Sequence, residues 1–143
     1  MDKIIPQRRQ LMYDNGNYRT TWCGPYSIAV VCNIEYEPAY RICRKLRQKR
    51  HAKGVSNTNI ADACHHFGVR GEWTKLAKRT QLRKFLPTLE AGKVYIVQIT
   101  KHVLVVDTRD MTTIDNQVRE WVAAEETHHK TKLVHAVFEV KNP

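Results

Sequence analysis

Cys23 stands in the stretch TTWCGPYSIAVV, directly before a Gly-Pro pair and the start of an apolar run. Proline suits the first turn of a helix, so this spacing sets the sulfur at a helix N-terminus, where unpaired N–H groups and the helix dipole favour a thiolate. A nucleophilic thiolate needs a general base on a rigid element and a third group that orients that base. His102 heads the run HVLVVD, and Asp115 and Asn116 lie one hairpin later. If the two strands pair antiparallel, the start of the first and the end of the second lie side by side, which brings the acid to the histidine. Such a trio performs acyl transfer through a thioester.

The elements that must position these residues are read from periodicity and turn chemistry. Residues 13–21 form a polar loop whose DNGN favours a turn. A helix over residues 25–33 follows, with Ile28, Val31 and Cys32 on one face. A second spans residues 38–49, with Tyr40, Ile42, Cys43 and Leu46 as an apolar stripe opposite arginines, and Gly54 ends it. SNTNIADACHHFGV reads as a helix capped by Ser56 or Asn57, with Ile60, Ala63, Cys64 and Phe67 inward and Gly68 at the stop. A shorter helix begins at Thr80 and breaks at Pro87.

Beyond Pro87 the pattern changes. KVYIVQIT and HVLVVDT are rich in β-branched residues and read as paired strands, RDMTT as a turn and TTIDNQ as a short third strand. KLVHAVFEV is a further strand, with Val134, Ala136 and Phe138 alternating against His135, Val137 and Glu139. Helices first and an antiparallel sheet second give an α+β class. No repeat or linker divides residues 1–143, so one domain is expected.

A 42% hydrophobic content and 27% charged content are those of a folded chain. The apolar runs are too short to cross a bilayer and no signal-peptide pattern follows MDKIIPQRRQ, so a cytoplasmic protein is expected. Cys23, Cys32, Cys43 and Cys64 form no dense framework and are read as reduced thiols. Cys64, His65 and His66 carry donor atoms, but neighbours on a helix point apart and cannot close one tetrahedral site, so no metal or other cofactor is expected. Apart from His102, the histidines (His51, His65, His66, His128, His129 and His135) are read as solvent-facing. The net charge of +10 is the main compositional deviation, concentrated in RICRKLRQKRHAK at residues 41–53. It is either a solvated helix face or a docking surface for nucleic acid or an acidic protein.

The core WCGPYSIAVV, followed some eighty residues later by KHVLVVDTRDMTTIDNQ, resembles the papain-like cysteine peptidases, and most the bacteriocin-processing, C39-like branch. The resemblance covers roughly residues 15–117. It implies a papain-like fold with Cys23 as nucleophile, His102 as general base and Asp115 as the orienting residue, with Asn116 in reserve because the papain branch uses asparagine. The family also places a glutamine before the nucleophile to donate to the oxyanion. Asn17, with Asn15 behind it, is the nearest equivalent here, beside the Cys23 N–H. Trp22 either lines the cleft, as the family's neighbouring aromatic does, or belongs to the core.

The activity implied is a cysteine hydrolase acting on a protein or peptide. The same trio also serves deamidase or transglutaminase-like acyl transfer. A papain-like scaffold with a silent site, binding through the basic helix, is the reading from another class. The compact size and expected cytosolic character also resemble the small papain-like proteins of bacteriophages.

Overall fold

The computed structural model describes residues 13–14, 17–18, 22–48, 54–118 and 120–141. A two-stranded hairpin, β1 (Tyr13–Asp14) and β2 (Asn17–Tyr18), stands where a polar loop was expected. Three helices follow, α1 (Cys23–Cys32), α2 (Tyr36–Arg47) and α3 (Asn57–His66). Next come β3 (Gly71–Gln81), the single-turn α4 (Leu82–Phe85) with a 3-10 turn over Leu86–Thr88, and β4 (Val94–Ile99), β5 (His102–Asp107), β6 (Thr112–Ile114), β7 (Val122–Ala123) and β8 (Leu133–Val140). The class is α+β. Strands β3 to β8 form one antiparallel sheet in the order β3-β8-β4-β5-β6-β7.

Side chains alternate across a strand, and both faces of this sheet are covered. Val94, Ile96, Val103, Val105, Ile114 and Phe138 pack with α1, α2 and α3 on one side. Tyr95, Val97, Ile99, Leu104, Val106 and Val134 pack with Leu82 and Leu86 on the other. That double burial is why β4 and β5 read as unbroken apolar runs whereas β8, with a buried residue at every second position, alternates. Helix α1 packs against α2, α3 and strands β4 and β5, with Gly24 to Val30 all buried. Ser56 caps α3 by accepting from the Asn59 N–H at 3.1 Å.

Three expectations are corrected. Leu46, placed in the inward stripe of α2, is 36% exposed; the buried residues of that helix, Tyr36, Ala39, Tyr40 and Cys43, all precede it. Residues 71–81, assigned no strand, form β3, the outer strand beside β8. Its pattern of burial is irregular and its outer residues include Lys75, Lys78 and Arg79, as suits a sheet edge that must not recruit another chain. Helix α4 starts at Leu82 because Thr80 and Gln81 still pair with Val134 and Leu133.

Gly71 anchors this edge. A Cβ there would sit 2.5 Å from the Glu139 carbonyl oxygen and 2.6 Å from the Phe138 ring, a ring at the centre of the core. Gly71→Ala is therefore expected to destabilise the fold by about 1–3 kcal/mol, measured as a lower midpoint in urea with unchanged slope. No described helix is long and apolar enough to cross a membrane.

Candidate active site

Helix α1 begins at Cys23 itself, so its sulfur sits at the first helical position, with Pro25 two residues on, where a missing N–H costs nothing. The first turn holds no acidic side chain to compete for the unpaired N–H groups. Gly24 lets this end of the helix approach Val55, whose Cβ would lie 3.2 Å from an added methyl group. The preceding Trp22 is half-buried against the helical core, and its backbone N–H donates to the Tyr36 hydroxyl at 3.0 Å. Trp22 thus has a structural role beside the thiol.

His102 opens β5 directly after the two-residue turn at Thr100 and Lys101, where Lys101 takes φ 58°. The β5–β6 register pairs Val105 with Ile114, so Asp115, one residue further, falls opposite Leu104 and diagonal to His102. His102 Nε2–H donates to Asp115 Oδ2 at 2.9 Å, with both side chains buried. Asp115, not Asn116, is the partner. Its other oxygen, Oδ1, accepts from the Gln117 and Val118 N–H groups at 2.9 and 2.8 Å, an Asx turn that pins the carboxylate.

With Nε2 committed to Asp115, the other ring nitrogen of His102 is the one left for Cys23, whose acidity responds to His102. Burial pushes the Cys23 thiol up. The His102 hydrogen bond, the N–H groups of Val103 and Gly24 and the imidazolium charge outweigh that and hold it below the ordinary thiol value. Burial likewise opposes a charged His102, but Asp115 and Cys23 raise it to about 9. The two shifts run in the directions that favour a thiolate beside an imidazolium.

A third side chain joins this group. His129, expected at the surface, is 2% exposed, and its Nε2–H donates to the same Asp115 Oδ2 at 2.8 Å. Its ring lies 4.5 Å from that of His102. It follows the 3-10 turn Ala124–Glu126, where no periodicity marks a residue as buried. The other described histidines do face outward or sit half-buried: His65 and His66 are exposed, His128 bonds Gln117 at 3.0 Å and His135 bonds Thr100 at 3.1 Å. His51 lies outside the described residues.

His102, Asp115 and His129 have the donor types of a metal centre, with the three ligand atoms within 4.8 Å of one another. A histidine bound to a metal through Nε2 carries its proton on Nδ1 and needs an acceptor there. The His129 Nδ1 is buried with no partner, so the three fit a shared-proton network better than an ion site. Cys64 is buried while His65 and His66 point outward, and these three are not brought together as ligands. The thiol of Cys64 is instead raised by its hydrogen bond to Cys32 and by burial, and burial pushes Cys43 up to about 12, so both are inert at neutral pH.

Asn17 lies in β2, and its side chain, like all of Asn15, is outside the described residues. Of the basic stretch, residues 41–47 belong to α2 and 49–53 lie outside the description. Arg41 pairs with Glu37 at 3.4 Å, and the Arg44 guanidinium lies 5.8 Å above the Tyr40 ring. A cavity of about 850 Å³ opens on the far side of the sheet between Leu86, Met111 and Lys130, and no residue of the thiol site lines it. No family model, curated protein or solved structure matches this chain.

Proposed function

We propose that the protein is a papain-like cysteine hydrolase acting on a peptide or protein amide. The observation that carries this reading is the chain of contacts from the α1 N-terminus: Cys23 against His102, and His102 Nε2–H on Asp115 at 2.9 Å. The Cys23 sulfur attacks the carbonyl carbon, forming a C–S bond as the C=O electron pair moves to oxygen. The oxyanion lies near the Cys23 N–H, which α1 leaves unpaired. His102 then gives its proton to the leaving amine, the C–N bond breaks and a thioester remains. Water, deprotonated by the same ring, attacks the thioester and releases the acid and the thiol. Asp115 keeps the imidazole in the tautomer that faces sulfur.

The reading is tested by comparing wild type with Cys23→Ala on a complex peptide mixture, with new N-termini and glutamine-to-glutamate conversions mapped by mass spectrometry. New termini made by the wild type alone support peptide hydrolysis. Conversion of glutamine without cleavage assigns the same site to side-chain deamidation, and no Cys23-dependent change refutes an acyl-transfer role. The exposed Arg41, Arg44 and Lys45 on α2 give an acidic substrate or partner a place to dock. Substrate turnover that weakens steeply between about 50 and 200 mM salt would show that contribution.

A further inference from the structure

We propose that His129 is a positioning residue that tempers Asp115, taking up half the accepting capacity of Oδ2 so that His102 remains acidic enough to release its proton. The inference rests on the hydrolase reading above and adds a fourth member to its site. Two imidazole Nε2–H groups converge on one oxygen, at 2.9 Å from His102 and 2.8 Å from His129. The remaining oxygen is held by two backbone N–H groups, so no other acceptor on this carboxylate is open to His129.

A packing role does not account for the ring. His129 is 2% exposed and its Nδ1 has no hydrogen-bond partner, a cost that a phenyl ring of similar shape would avoid. What a phenyl ring lacks is the donor to Asp115. The groups facing His129 are His102 from β5, Asp115 after β6 and the neighbouring His128, whose ring centroid lies 3.8 Å away. Two of those three are histidines, so a second proton on His129 is disfavoured and the ring stays a neutral donor while His102 carries the charge.

The consequence is specific. Each donor on Oδ2 disperses the carboxylate charge that stabilises the His102 imidazolium. Without His129 the carboxylate binds the His102 proton more tightly. The imidazolium then persists to higher pH and becomes a poorer acid toward the leaving amine.

The test needs no substrate. Iodoacetate is an anion drawn to the thiolate–imidazolium pair, and its rate of alkylating Cys23 falls as His102 loses its proton. The alkaline limb of that profile, expected near pH 9 in the wild type, reads His102 directly. His129→Phe should move the limb upward by roughly half a unit to one unit, whereas His129→Gln, which restores an amide N–H at the same reach, should leave it in place. His129→Met, a donor-free chain of similar length, takes the place of phenylalanine if circular dichroism shows that variant unfolded. A limb that stays put or moves downward in the folded donor-free variant, or one that moves as far in His129→Gln, overturns the inference and leaves the hydrolase reading standing. A wild-type profile with no alkaline limb removes the ion pair and overturns both.

Discussion

Replacing Cys23 with serine is expected to abolish acyl transfer, with a loss of about 10⁴–10⁶ in turnover, while stability changes by less than about 1 kcal/mol. The two atoms differ little in size, and the site is half-exposed, so the backbone of α1 has no reason to move. A hydroxyl, however, lacks the acidity that lets the helix N-terminus, the N–H groups of Val103 and Gly24 and the His102 charge together hold an anion. Turnover and a urea midpoint measured on the same preparation separate the two effects. A variant that unfolds would instead mark Cys23 as a packing residue at the start of α1.

Asp115 is expected to be costlier to the fold than Cys23. Its carboxylate accepts four hydrogen bonds, from His102, His129 and the Gln117 and Val118 N–H groups. Asp115→Ala strands all four donors in a site where both histidines are buried, and breaking such a buried network costs about 3–5 kcal/mol. Asp115→Asn keeps the volume and can still accept, but it loses the charge that selects the productive His102 tautomer, and a fall in turnover of about 10⁴ is expected. The pH dependence has a definite sign. Burial raises the Asp115 carboxyl, but His102, the Val118 N–H and His129 outweigh it and hold the group below its ordinary 3.8. Its stabilising contribution is therefore complete above about pH 4 and lost as the pH falls below that. The stability gap between wild type and Asp115→Asn should narrow on acidification from pH 6 to pH 2, and a gap that stays constant would show that the carboxylate charge stabilises nothing.

The parts of this arrangement legible in the sequence are those carried by local rules. Gly-Pro after Cys23 announced a helix start, although α1 opens at Cys23 and not at Pro25, because any residue of the first turn tolerates the missing N–H. The runs from Val94 and from His102 gave β4 and β5 through their β-branched content, and the turn between β5 and β6 brought Asp115 to His102 by register alone. What stayed hidden depends on tertiary contacts. Strand β3 has a polar outer edge and an irregular step between Lys75 and Thr80, so no alternation betrays it. The hairpin β1–β2 holds only two residue pairs, Tyr13 with Tyr18 and Asp14 with Asn17, too short a pairing for alternation to show in a polar stretch. Residue 129 sits in a turn between β7 and β8, in the run ETHHKTK, where composition says surface. Only the fold places it on Asp115, and no pattern within that segment could have told His129 from His128.

The central claim is a thiolate poised by His102, and the most direct measurement is the alkylation rate of each cysteine by iodoacetamide at about pH 6, where an ordinary thiol is almost wholly protonated. Cys32, which is also half-exposed, is the internal comparison for access. Modification at Cys23 at least tenfold faster than at Cys32, lost in His102→Ala, is the result expected of the ion pair. A Cys23 rate no higher than that of Cys32, or one unchanged by removing His102, would contradict the account.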